Sequence, residues 1–315
     1  MTDLAEIPAR TGILTSVGRI ARFTKVMYKP HYLLYGILWV LALEGTAALL
    51  TKPDVAWHPG GATAARVGVV AIVLLYLRMV DEQKDLEYDR VHNPDRPLVT
   101  GAVSALELRS AMAVIAVVSI GGSLALSVRS AVAITAVLAY GLILWGLERL
   151  SETVRTNIML NLVVTYPVQL LVTAYAVLSA IDTGEAADHG RVAAVAVVFA
   201  GAFLQFEFAR KTSRIARPGE MYYSNALGAI GSAAASVLCA LAAAVCEIAA
   251  AKPWEWSGAA AVIGWMPLAL TVIPAIGAWR FVRSRDEEYP VVPAVLFILT
   301  LYLTLIAQAV AATRR

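Results

Sequence analysis

Nine runs of mainly apolar residues punctuate this sequence, most of them some 18 residues or longer, enough to cross ~30 Å of hydrocarbon as a helix. They fall at about 32–50, 63–80, 106–127, 130–148, 157–180, 191–208, 223–248, 258–279 and 291–311. A chain built this way has few options. In lipid every backbone N–H and C=O must find a partner within the protein, which leaves the helix as the spanning element here. Charged residues make up 16 % of the chain and mean hydropathy is +0.69, which excludes a soluble domain of this size. The expected fold is all-α, a polytopic membrane bundle of nine transmembrane helices forming one domain over 1–315. Cys239 and Cys246 fall inside one run and imply neither a disulfide framework nor a metal motif. The opening stretch lacks a compact apolar core with a small-residue cleavage site, so no signal peptide is expected.

Where the charges lie orients the bundle. With the N-terminus on the cytoplasmic side, the inner segments collect 19 of the 26 Lys and Arg, as the positive-inside rule asks. Segment 1–30 carries Arg10, Arg19, Arg22, Lys25 and Lys29, with Ile13, Leu14, Val17, Ile20 and Ala21 at helical spacing, the pattern of a helix lying on the membrane surface. The expected location is the cell membrane, with the N-terminus and the charged loops cytoplasmic. The opposite loops, 51–62 and 181–191, read as solvated connections. No nucleic-acid partner is expected.

One charged stretch stands out, Asp81 to Leu98, reading DEQKDLEYDRVHNPDRPL directly after the second run. Asp81, Asp85 and Asp89 recur every four residues, so a continuing helix holds them within roughly 80° on one face. Like charges at that spacing repel. A hard divalent cation such as Mg²⁺ removes the conflict, because it takes carboxylate oxygens and leaves positions open for substrate phosphates. The plain alternative is a solvated acidic helix end.

The block resembles the first signature of the UbiA superfamily of intramembrane prenyltransferases, an Asn-Asp-x-x-Asp-x-x-x-Asp run followed by a loop with Arg-Pro-Leu and Gly. Asp85 and Asp89 match the spaced aspartates and Glu82 the early acidic position, while Arg96-Pro97-Leu98 and Gly101 match the loop. Asp81 stands where the family has Asn. The resemblance implies a bundle around a central cavity, with segments 81–105 and 207–222 forming the active-site mouth. It implies Mg²⁺ as cofactor, with Asp81, Asp85, Asp89 and Glu207 as its ligands, and an isoprenyl diphosphate as substrate. Arg96 joins the expected diphosphate contacts.

The family's second acidic block sits after the sixth span. Here the chain reads Gln205-Phe206-Glu207-Phe208-Ala209-Arg210-Lys211-Thr212-Ser213-Arg214, with Lys211 where an aspartate is expected. Glu207 and Lys211 at i,i+4 stabilise a helix by a few tenths of a kcal/mol, and that is one reading. The other is that Arg210, Lys211 and Arg214 bind diphosphate oxygens in place of a metal, which Arg suits by its planar fork. Pro167 should kink the fifth span. Asn157, Asn161, Thr165, Tyr166 and Gln169 put polarity there, facing the protein interior. In the family this helix lines the chamber, which makes Asn161 and the preceding Arg149 and Arg155 further diphosphate candidates.

The chemistry implied is loss of diphosphate to leave an allylic cation, then transfer to a lipophilic or aromatic acceptor in contact with membrane lipid. Cyclisation without an acceptor, as in UbiA-type terpene cyclases, is the alternative. A transporter or other non-enzyme is the third reading, but the charges gather at span ends rather than at the midplane.

Overall fold

The computed structural model describes residues 12–311; Arg10 and the rest of 1–11 lie outside the described residues. Helix α1, Ile13–Met27, precedes the bundle. The spans are α2 (Pro30–Thr51), α3 (Gly61–Lys84), α5 (Ala105–Leu124), α6 (Val128–Leu150), α8 with α9 (Ile158–Thr165, Pro167–Asp182), α10 (Ala193–Arg210), α11 (Ser224–Ala251), α12 with α13 (Gly258–Leu270, Val272–Arg283) and α14 (Val291–Ala311). Short α4 (Leu86–His92) and α7 (Glu152–Thr156) lie in the connections. Nine candidate spans are thus present among the described residues, each within a few residues of its sequence-based bounds apart from α11, whose candidate span runs on to Glu255.

Local chemistry sets several ends. Pro30 opens α2, where a missing N–H costs nothing. Ser104 and Glu107 cap α5 reciprocally, and Asn157 accepts from the Met159 and Leu160 amides to start α8. Pro167 divides the fifth span as expected. Tyr140 Oη donates to the carbonyl of Val164 beside the break, at 2.9 Å. The eighth span is divided too, at Thr271, which the sequence reading did not foresee.

Packing closes the spans into a ring. α2 lies against α3 and α14, α3 against α5, α5 against α6, α6 against α9, α10 against α9 and α11, and α12 against α11 and α14. The α10–α11 contact depends on Gly201: a Cβ there would stand 2.6 Å from the Cys239 carbonyl oxygen. Small residues at such crossings let backbones approach in lipid, where packing rather than the hydrophobic effect drives association. Val117, Val132, Leu238 and Val262 stay exposed on the outer faces.

The connections gather at two ends. At the end away from the Asp81 block, the loops are not merely solvated, contrary to the sequence reading. Arg66 is fully buried and pairs with buried Glu44. It also donates to Ser179 Oγ (3.0 Å) and Thr183 Oγ1 (2.7 Å) and approaches Glu185 (3.5 Å). Glu44 accepts in addition from Trp57 Nε1 (3.0 Å) and Thr63 Oγ1 (2.7 Å). Charges removed from water need this full set of partners.

Candidate active site

The acidic block closes α3. Its helix is not continuous: Asp85 breaks it with φ −90° and ψ 8°, between α3 and α4. The backbone N–H of Asp85 still donates to the Asp81 carbonyl (2.9 Å) and that of Asp89 to the Asp85 carbonyl (2.8 Å), so the four-residue rhythm survives the break. The side chains nevertheless part company. Asp89 is buried and turned to Arg96 (2.9 Å) and Asn93 (2.8 Å). Burial pushes its carboxyl above the usual range, opposed by the Asn93 hydrogen bond and the Arg96 charge. Arg96 bridges onward to buried Glu82 (3.3 Å), which also meets Arg78 (3.3 Å). The motif loop is thereby strapped back onto the helix that precedes it.

Asp85 is the open member. Its side chain is 36 % exposed and pairs with Lys84 at 3.0 Å. Lys84 in turn donates to both carboxylate oxygens of Glu148, at 3.0 and 2.9 Å. Asp81 lies within electrostatic reach of Asp85, Lys84 and Glu148. Glu148, in the last turn of α6, was missed by sequence reasoning. The one signal was a lone acid at the motif end of a span.

The second cluster closes α10. Glu207 is buried, with Arg210 Nε at 2.6 Å and Lys211 Nζ at 3.5 Å. Lys211 also lies 5.5 Å from the centre of the Tyr223 ring, whose backbone N–H donates to the Lys211 carbonyl. Burial pulls the Lys211 ammonium below the usual lysine range; Glu207 opposes that, and the Arg210 and Lys84 charges add to it. The second block thus lies within electrostatic reach of Lys84. Tyr88 of α4 likewise feels Glu220 and Tyr222 of the second segment. A cavity of about 810 Å³ is lined by Glu87 and Tyr88 from the first segment and by Ser213, Arg214 and Met221 from the second, with Arg155, Ile158 and Ala229 among others; Asp81, Asp85, Asp89, Glu207, Arg210 and Lys211 are not in its wall.

Other candidate residues scatter. Asn161 donates to Glu148 Oε1 (3.0 Å), behind Lys84. Arg155 is exposed on the cavity rim and reaches the Glu148 carbonyl (3.3 Å), and Arg149 is exposed. Arg214 is spent elsewhere: its guanidinium donates to the carbonyls of Phe281, Ser284 (3.2 Å) and Asp286 (3.3 Å) and covers the Phe281 ring. It docks α13's end rather than joining Arg210 and Lys211.

Among the described residues no three His, Cys, Asp or Glu side chains converge on one point. A half-exposed Asp85 with one ion-pair partner, flanked by Asp81 and Asp89, still fits an ion that takes one or two carboxylates and fills its remaining positions with water and phosphate.

No protein-family model matches the sequence, and no curated protein matches it. Solved structures do share the fold. A UbiA homologue from Archaeoglobus fulgidus bound to DMAPP and Mg²⁺ has a TM-score of 0.61 at 14 % identity, covering 92 % of this chain and 98 % of that one. A UbiA homologue from Aeropyrum pernix K1 gives 0.59 at 21 % identity, over 86 % and 96 %. A digeranylgeranylglyceryl phosphate synthase structure gives 0.59 at 11 % identity, over 93 % and 99 %. Together with nine spans of sufficient length and hydropathy among the described residues, this makes the chain an integral, multi-pass membrane protein with the UbiA fold.

Proposed function

We propose that this chain is an intramembrane prenyltransferase that ionises an isoprenyl diphosphate with Mg²⁺ and passes the prenyl group to a lipophilic or aromatic acceptor. The observation that carries the reading is an acidic block at the end of α3 and a cationic cluster at the end of α10, whose following segments line one cavity in a bundle with this fold. The Archaeoglobus homologue bound to DMAPP and Mg²⁺ supports both the donor class and the metal.

Asp85, with Asp81 one turn before it, would hold the cation, which when bound would stabilise charge developing on the departing diphosphate, while Asp89 holds Arg96 in the motif loop. Arg210 and Lys211 bind diphosphate oxygens from the other side, and Glu207 keeps both cations in place. The carbon–oxygen bond breaks with its electron pair leaving on diphosphate, and an allylic cation remains. Helix packing keeps water from that cation, and the apolar interior accepts the isoprenyl chain at no hydrophobic cost. One domain over 1–315 contains all of this.

Purified protein incubated with Mg²⁺ and isoprenyl diphosphates of several lengths tests the reading. Turnover is expected only when an acceptor is supplied, and EDTA should abolish it. A cyclic hydrocarbon formed without acceptor would assign a terpene cyclase instead, and no turnover under either condition would overturn the proposal.

The mouth faces the cytoplasm in this reading, as the basic loops favour. In cells, Asp95→Cys should react with a membrane-impermeant thiol reagent only from the cytoplasmic side and His189→Cys only from the other. The reverse pattern would invert the topology.

A further inference from the structure

Helix α1 meets the bundle beside the motif loop, and a cleft of about 490 Å³ opens there, lined by Thr15, Gly18, Arg19 and Arg22 from α1 and by Gly101 and Ala102 from the loop. The four α1 positions fall within roughly 100° of one another, on one side of the helix. Arg22 is exposed, and no ion pair engages it among the described residues. Arg19 approaches Glu107 at 3.8 Å, and the other oxygen of that carboxylate accepts from the Ser104 amide (2.8 Å) and hydroxyl (2.9 Å). One carboxylate thus stands against two guanidinium groups. Small residues leave the space open: a Cβ added at Gly18 or Gly101 would meet no atom within 4 Å.

The depth of α1 says what those cations face. Its end is tied to a membrane span, since Tyr28 Oη donates to the Ala71 carbonyl (3.1 Å), ten residues and ~15 Å along α3 from Asp81. Arg19 lies opposite Glu107, in the first turn of α5. The α2 span opens at Pro30, three residues after Met27, so the chain holds α1 within about 10 Å of that span's end. α1 therefore slopes from the level of the span ends down beside the apolar spans. Val17 and Leu106, the chain neighbours of Gly18 and Glu107, are 60 % and 74 % exposed.

We infer that this cleft binds the headgroup phosphate of an anionic phospholipid, with Arg19 and Arg22 on the phosphate oxygens and an acyl chain along Val17 and Leu106. Arg suits the role because its planar fork matches phosphate geometry. The site is apart from the acidic block and does not depend on the prenyl-diphosphate reading. The loop it shares is strapped by Arg96 to Asp89 and Glu82, so a bound lipid fastens α1 to the segment that follows the acidic block.

The full chain, purified in a neutral detergent and titrated with dioleoylphosphatidylglycerol under native mass spectrometry, tests the site without turnover. The anionic lipid should be retained more tightly than dioleoylphosphatidylcholine. Arg19→Gln/Arg22→Gln should weaken its binding roughly thirtyfold, the scale of removing two cations near an anionic lipid. If that variant fails to fold, Arg22→Gln alone carries the test, because Arg22 is exposed and unpaired among the described residues. Gly18→Leu keeps both charges, fills the cleft and should weaken binding as well. Lys25→Gln/Lys29→Gln removes two exposed charges outside the cleft and should change it far less. An equal loss in the two double variants, or none in Gly18→Leu, would reduce the site to general surface attraction and overturn it. Displacement of the lipid by inorganic phosphate or pyrophosphate would assign the cleft to a soluble anion and overturn it too.

Discussion

Replacing Asp85 with alanine is expected to lower turnover of an isoprenyl diphosphate at least about a hundredfold, the scale of losing one fixed electrostatic stabiliser. Asp85 is a half-exposed carboxylate, and among the described residues its ion pair is with Lys84. Its removal takes an oxygen donor from the site while leaving the Glu148–Lys84 pair and the Arg96 strap intact. Thermal stability should therefore change little, since Lys84 keeps its Glu148 partner. Asp89→Ala is different in kind, because buried Asp89 anchors Arg96. It should lose activity and stability together. A folded Asp85→Ala protein with near-parental turnover would remove the metal-site assignment.

Arg66→Ala should cost stability rather than chemistry, by about 3–5 kcal/mol, the usual penalty for stranding one member of a buried ion pair. Glu44 would keep Trp57 and Thr63 but face a dry interior without a cation. Thermal unfolding in detergent is the measurement. Glu44→Gln/Arg66→Met, which removes both charges, should recover much of the loss. Arg66 lies fifteen residues before Asp81 on the same helix, ~22 Å along its axis. Activity of the protein that remains folded should therefore stay near the parental level. A loss under about 1 kcal/mol in Arg66→Ala would show that the network carries little of the stability.

The spans were legible because hydropathy acts residue by residue and needs no knowledge of partners. Pro167 announced its own break for the same reason. The acidic block was legible through spacing and resemblance together. What escaped was pairing across helices. Glu148 stands 64 positions from Lys84, and no periodicity relates them. Glu44 and Arg66 each look like a stray charge in an apolar run, and only packing makes them partners. Arg214 looked equivalent to Arg210, four residues earlier, until α10 ended at Arg210 and the chain turned toward α13. The Asp85 break was hidden as well, since the same aspartates satisfy an ideal helix on paper.

The divided fifth span carries a consequence for how this chain can change. In hydrocarbon no solvent stands ready to accept a released carbonyl, and each one left bare costs several kcal/mol. Tyr140 supplies the hydroxyl that meets Val164 at the division. Tyr140→Phe strands that oxygen, whereas Pro167→Ala restores a donor only to the carbonyl four residues earlier, that of Val163, and leaves the Tyr140 bond in place. The residue at 140 is thus constrained by a backbone break on a different helix, and it can change only where another donor reaches the same carbonyl.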